Sequence, residues 1–368
     1  LSTVITDFAG LQAVGSGLSG SYELGADIDC TGETLTPIGT YLAPFTGKFY
    51  GKGYTISNLV ATGTLDAVGL FGAIDGVAAV NGVSVTGLTL NISTATPNYV
   101  GGLIGWINAG TVTNCNITGA ITNGATGSNY TGGFVGFQWA GTISRCWADV
   151  SVVTSGTYSS GVGGFVASNY NGTIEKCYSL GSVSITDTNE YTPGGFAGLV
   201  GAGGGTRNPI IRNCYCRGAC SDYNSSGAAA GFVNTVGAGR IENCYSTGAV
   251  NTAGGGFCQT NNATVLRCKW DVQTSGQSES YGDGLGLSTA TMKFQSSFAG
   301  WDFKDIWGIS PSRNDGYPDF TIAQASGLKA TDIVTLEAVR NLEMTTMGRF
   351  YIDEQGNAKY ESRFARNA

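Results

Sequence analysis

The chain has ten cysteines and no histidine among its 368 residues. Without histidine there is no Ser-His-Asp or Cys-His catalysis and no imidazole base near neutral pH; His-ligated zinc and haem are excluded too. Six cysteines, Cys115, Cys146, Cys177, Cys214, Cys244 and Cys268, each follow a Val or Ile three positions earlier. Structural zinc wants thiolates in close pairs such as Cys-x2-Cys. These six recur at 24 to 37 residues, and Cys214-Tyr215-Cys216 is too tight. No metal and no cofactor is expected. Stacked in a column, the six would lie within disulfide reach but with parallel Cβ vectors, which fits the required torsion poorly. As reduced thiols they would pack as small hydrophobes. Cys216 and Cys220 lie off the column and could close a small disulfide loop, so the cysteines leave the redox compartment open.

Carboxylates are the next candidates. Glycoside hydrolysis needs two of them about 5–9.5 Å apart, and a lyase needs a base and usually a cation site of clustered acids. Asp149, Asp187, Glu190 and Asp222 lie in coil or inter-coil segments, but no spacing singles out a pair. Asp27 and Asp29 flank Ile28 and are read as structural. Glu175, Arg212 and Glu242 occupy one repeat position. They read as a surface charge ladder worth about 0.2–1 kcal/mol per pair. No catalytic residue is assigned.

After five of the six cysteines come Trp147, Tyr178, Tyr215, Tyr245 and Lys269. Neighbours on a strand point to opposite faces. If the cysteines face inward, Trp147, Tyr178, Tyr215 and Tyr245 form an exposed aromatic strip on which a sugar ring would stack. A bend at the Asn-Cys step would instead turn them into the core. This strip is the one ligand surface the residue pattern suggests.

These residues need elements to hold them, and the elements repeat. Gly101-Gly102-Leu103, Gly132-Gly133-Phe134, Gly163-Gly164-Phe165 and Gly194-Gly195-Phe196 recur every 31 residues. Weaker copies end in Phe232 and Phe257. Each precedes one of the six cysteine blocks. The units are too short for a crossover helix and rich in Val, Ile, Thr, Phe and Tyr between Gly and Asn. Such a unit buries its apolar side only by stacking on copies of itself. The reading is an all-β chain, a right-handed parallel β-helix of about nine coils, roughly 45 Å long. Its inward columns are the Leu103–Phe257 series and the series Val112, Ile143, Ile174, Ile211, Ile241 and Val265.

The blocks Gly-Gly-Phe-Val-Gly and Gly-Thr-Ile-x-x-Cys-Tyr-x-x-Gly resemble the GLUG repeats of bacterial surface proteins. The stretches Tyr22–Asp29, Phe45–Ile56 and Gly69–Gly72 resemble the region that usually precedes such repeats. Trp301-Asp302-Phe303 with Gly316-Tyr317-Pro318 is similar to their closing segment. The resemblance covers about residues 1–322 and implies a β-helix on large, secreted, adhesin-like proteins, with no particular reaction.

The organisation expected is first coils and N-terminal cap over 1–100, repeat coils over 101–275, a closing segment over 276–322 and a tail over 323–368. Residues 6–14 suit a short helical cap, and no signal peptide is visible. In the tail, 331–346 reads as an amphipathic helix, followed by a hairpin of Arg349–Ile352 and Lys359–Ser362. This tail is weakly similar to segments of phage tail proteins, and it would cap its own rod or dock on the next subunit. Six Asn-x-Ser/Thr sequons occur, at Asn91, Asn116, Asn129, Asn171, Asn224 and Asn262, as chance predicts in so polar a chain.

Lys plus Arg is 19 against 26 Asp plus Glu, a net charge of −7, which speaks against nucleic acid as a partner. No apolar run is long enough to cross a membrane. The expectation is a non-enzymatic extracellular or cell-surface protein, adhesive or structural, self-associating head to tail into a fibre. A virion or appendage is an alternative location, and a cell-surface glycan a possible partner. The alternative function is a polysaccharide-binding or polysaccharide-degrading β-helix.

Overall fold

The computed structural model describes residues 1–321 apart from 62–65, 94–97, 127–128, 156–158, 187–192, 203–206, 224–228, 252–253 and 281–283, together with the backbone of 349–352 and 358–361. The chain divides into two compact units, Leu1–Trp301 and Asp302–Ala368.

The first unit is a parallel β-solenoid. One turn runs through four strands, Val135–Gln138, Thr142–Ser144, Trp147–Thr154 and Ser159–Gly163. Each lies beside its equivalents in the turns above and below, building sheets of seven, ten, twelve and five strands. Strands of the four sheets pair with their equivalents in adjacent coils, so their backbone is satisfied between coils, which is why one unit alone could not hold its shape. The expected columns are in register. Ile143 pairs between Val112 and Ile174, and the ladder continues through Ile211 and Ile241 to Val265. Cysteine spacing drifts from 31 to 37, 30 and 24 residues without breaking this ladder. The differences fall between strands, where length is cheap.

Phe134, Phe165, Phe196, Phe232 and Phe257 stack ring on ring with centroids 4.7, 4.9, 4.8 and 4.8 Å apart. All five are fully buried. The two glycines before each of them do different work. A Cβ on the first, Gly132 or Gly163, would strike the carbonyl oxygen of Val135 or Val166 in its own coil. A Cβ on the second, Gly133 or Gly164, would strike the carbonyl of the glycine stacked on it. The first glycine thus lets two successive strands of a coil fold outer face against outer face, and the second lets coils approach.

A feature absent from the sequence reading governs the corner before each cysteine. Asn114, Arg145, Lys176, Asn213, Asn243 and Arg267 all have φ between 52° and 55°, and Gly82 precedes them at 67°. This left-handed step ends one strand and lets the next begin just after the cysteine. Asn adopts it more readily than other non-glycine residues, so the three asparagines were its signal. In the coils with arginine, Arg145 Nε donates to Asn114 Oδ1 at 2.7 Å and Arg267 Nε to Asn243 Oδ1 at 2.8 Å. Half of the neighbouring charge column forms as expected: Glu175 meets Arg212 at 2.6 Å, but Glu242 meets Arg240 of its own strand and Arg267 of the corner column instead.

All ten cysteines are free and buried, Cys216 and Cys220 included. The column cysteines point inward. The amide of Cys115 approaches Cys146 Sγ at 3.4 Å, and that of Cys146 approaches Cys177 Sγ at the same distance. Burial pushes the thiols of Cys115, Cys146, Cys177 and Cys244 well up, and that of Cys216 up to about 11. Since the thiolate is the nucleophile, Ellman's reagent at pH 8 should find these thiols inert in the folded chain. All ten should react in guanidinium chloride. Rapid reaction of Cys115, Cys146, Cys177 or Cys244 without denaturant would contradict the inward ladder.

The core is closed at both ends. The helix Phe8–Ala13 is capped by Asp7, which accepts from the amide of Gly10 at 2.7 Å. It places Leu11 and, one step on, Val14 over the first coils. At the other end Trp270 stands in the column of Ser179, Cys216 and Ser246, where it fills the last coil. In the second unit, Trp307–Gly308 pairs antiparallel with Asp319–Phe320, and the Trp307 and Phe320 rings lie 4.8 Å apart. Arg349–Ile352 pairs antiparallel with Ala358–Glu361, one residue earlier than the hairpin expected from sequence. The expected helix over 331–346 lies outside the described residues.

Candidate functional site

The strip expected from sequence forms as a column. Trp147, Tyr178, Tyr215 and Tyr245 pair in register and stack with centroids 5.8, 4.7 and 5.1 Å apart. Its exposure differs from the expectation. Trp147 and Tyr178 are half-buried, whereas Tyr215 is 3% and Tyr245 0% exposed. The strand does not bend inward. Instead the segment after the last coil returns across the outer face, where Trp301 lies 6.3 Å from Tyr245 and donates its indole N–H to the Arg267 carbonyl at 2.9 Å. Phe298 backs Trp301 at 4.7 Å. Tyr178, Tyr215 and Tyr245 are close enough to overlap face to face, so this part of the strip turns edges outward, and the half-buried Trp147 begins it.

A second aromatic cluster sits where the two strands before and after each Gly-Gly step fold together. Within one coil, the strand Tyr99–Gly101 turns at Gly102-Leu103 into the strand Ile104–Ile107. The inner part of this crease is backbone against backbone, since a Cβ on Gly101 or Gly105 would strike main-chain atoms. Its mouth is filled by side chains: Tyr99 meets Trp106 at 4.5 Å, and one coil on Tyr130 meets Phe137 at 5.0 Å. Trp106 and Phe137 stack at 4.6 Å and 6°. Trp139 and Tyr170 stack at 4.2 Å beside them, with the Arg207 guanidinium 3.5 Å over Tyr170. Tyr41, from an earlier coil, packs edge-on to Trp106 at 5.1 Å. Tyr41 is 47% and Trp139 43% exposed. Burial, reinforced by Tyr130, Tyr41 and Asp66, pushes the Tyr99 hydroxyl up to about 12.

Sequence reasoning missed this cluster because its members come from different repeat positions. The signal was present as Trp106, Phe137, Trp139 and Tyr170 three to five residues after the Leu103, Phe134 and Phe165 column.

The carboxylates serve the ladder. Asp27 accepts from the Thr55 amide at 2.8 Å; Asp29 accepts from the Thr31 amide and hydroxyl and from Asn58. The last of these are the main reason the Asp29 carboxyl lies below its ordinary range. Buried Asp271, unremarked in sequence, accepts from the amides of Gln273 and Thr274 and from the Thr289 hydroxyl. Asp149 is exposed and Asp222 buried on different stretches of the coil; Asp187 and Glu190 lie outside the described residues. Among the described residues no three His, Cys, Asp or Glu side chains gather where they could hold a metal ion. Asn129 is buried, which removes one sequon from any surface, and Asn224 lies outside the described residues.

The repeat geometry matches a known motif over residues 96–122 and 158–185, each stretch spanning a Gly-Gly corner, an inward Val or Ile and a column cysteine. The chain carries the GLUG motif. It is 33% identical over 137 residues to an Evansella cellulosilytica protein described as a candidate Gly-rich membrane protein, covering 33% of this chain and 15% of that one. It is 32% identical over 137 residues to Halomucin of Haloquadratum walsbyi, covering 32% of this chain and 1% of that one. The GLUG-bearing chain thus matches only a small part of the length of either relative. Among solved structures it is similar to a Bacteroides ovatus protein described as a candidate immunoglobulin A1 protease, with 19% identity and a TM-score of 0.60 over 87% of this chain and 92% of that one. At that identity the likeness is one of fold, a β-solenoid of matching extent. Among the described residues no helix is long and apolar enough to cross a membrane.

Proposed function

We propose that this chain is a non-enzymatic, extracellular β-solenoid that presents an adhesive outer face at a cell surface. One observation carries the reading: among the described residues, many of the carboxylates and all ten thiols are engaged in holding the fold together, while bulky aromatic rings are left outside. Glu175 and Glu242 hold arginines of the ladder, Asp27, Asp29 and Asp271 hold backbone amides, and the cysteines are core. The names borne by the two sequence relatives, a Gly-rich membrane protein and Halomucin, support a surface setting. Purified protein should adhere to cells while releasing no sugar from a polysaccharide panel and leaving immunoglobulin A1 intact. Product in either assay, or failure to adhere, overturns it.

Assembly into a fibre is a second reading. It is supported by the terminal strands of the ten-stranded sheet, Thr3–Ile5 at one end and Thr264–Leu266 at the other, which have a ladder partner on one side only among the described residues. Unpaired edges template further strands unless covered, and a head-to-tail contact that does not close grows without limit. Electron microscopy should show fibres, and a chain ending before Gly327 should lose them if the tail is the docking element.

A further inference from the structure

We propose that the mouth of the crease is a binding site for a neutral glycan, whose pyranose rings lie along the solenoid axis on Tyr41, Tyr99 and Tyr130, with the exposed Trp139 at the rim beyond Phe137. It rests on the adhesive reading above and names where and what the surface holds.

Ring orientation carries the assignment. Trp106 and Phe137 spend their faces on each other, and so do Tyr178, Tyr215 and Tyr245 of the strip, all at 5.1 Å or less. The tyrosines at the crease do not. Tyr99 is turned 64° from Trp106 and 68° from Phe137, and Tyr130 is turned 82° from Phe137. Tyr99 and Tyr130 are nearly parallel, at 14°, yet 5.8 Å apart; Tyr41 continues the series at 6.3 Å and 21°. Rings so disposed stand side by side along the coils. Tyr99 and Tyr130 are half-buried beside the Trp106–Phe137 stack, and Tyr41 is 47% exposed. A pyranose offers C–H groups on its face and hydroxyls round its rim, which suits a row of ring faces with polar groups beside it.

Oxygen acceptors lie beside the rings. Asp75, Asn108, Trp139 and Tyr170 succeed one another in a column, and Asn108 Nδ2 donates to Asp75 Oδ1 at 2.9 Å. Asp66, whose carbonyl receives the Tyr99 amide at 3.0 Å, is exposed at the other side of the mouth. Carboxylate and amide oxygens accept from sugar hydroxyls. The same two carboxylates, on a chain of net charge −7, repel uronates and sulfated sugars. Arg207 closes the far end by covering Tyr170.

Cellohexaose, xylohexaose and mannohexaose are titrated into the whole chain by calorimetry, with trigalacturonate as the charged control. At least one neutral hexasaccharide should bind, and trigalacturonate at least about tenfold more weakly. Trp139→Ala and Tyr41→Ala alter exposed side chains, so circular dichroism should be unchanged while affinity falls about tenfold for each. Trp147→Ala, on another sheet, should leave affinity alone. The site is overturned if no neutral hexasaccharide binds, if binding survives Trp139→Ala and Tyr41→Ala combined in one chain, or if Trp147→Ala abolishes it. Adhesion to cells by a wild-type chain that ignores all these sugars would sink the glycan site and spare the adhesive reading. Loss of adhesion sinks the reading on which it stands.

Discussion

Phe196→Ala is expected to lower folding stability by about 3–5 kcal/mol. The ring is fully buried and touches Phe165 at 4.9 Å and Phe232 at 4.8 Å. Truncation removes the transfer energy of the ring, leaves a cavity and cuts two stacking contacts worth about 0.5–1.5 kcal/mol each. The cavity cannot close, because the coils on both sides are held at strand spacing by main-chain hydrogen bonds, including Phe165 N–H to the Phe196 carbonyl at 2.9 Å. In a stack of coils the loss stays with the nearest interfaces. A urea melt should therefore show a lower midpoint and a broadened or divided transition. A midpoint within about 1 kcal/mol of wild type would show that the ring column does not bear the load assigned to it.

Gly163→Ala should be of similar size, about 3 kcal/mol, for the opposite reason. Here an atom is added where none fits. The new Cβ would strike the Val166 carbonyl oxygen and lie 3.0 Å from the amide nitrogen of Gly198 in the adjoining coil. Both are backbone atoms inside the sheets, so neither can swing aside as a flexible side chain would. The two strands of the crease would have to part. Gly15→Ala is the matched control, since nothing lies within 4 Å of its added Cβ. Thermal melts should separate the two substitutions clearly. If both are silent, the strands of the crease are not in contact at their glycines.

These two substitutions also mark how far the chain is legible without coordinates. Columns that depend on local alternation and a fixed period could be read directly. Phe134, Phe165 and Phe196 had to share an interior, Ile143 and Ile174 likewise, and Glu175 had to meet Arg212. The capping helix near Phe8 and the hairpin at Arg349–Ile352 were local patterns as well. The left-handed corner was only half legible, because arginine and lysine occupy at Arg145, Lys176 and Arg267 the place where asparagine announces it at Asn114, Asn213 and Asn243.

Other features depend on parts of the chain that are distant in sequence. Alternation along a strand settles that Tyr245 points away from Cys244, but not that Trp301, fifty-six residues later, will lie over it. Nor does it say that the outer faces of Tyr99–Gly101 and Ile104–Ile107 meet, bringing Tyr41, Tyr99, Tyr130 and Trp139 to one mouth. A period assigns each side chain to a face, inward or outward. What later covers an outward face, and which outward faces fold against each other, is set by the path of the whole coil and by where a backbone without Cβ atoms can press close.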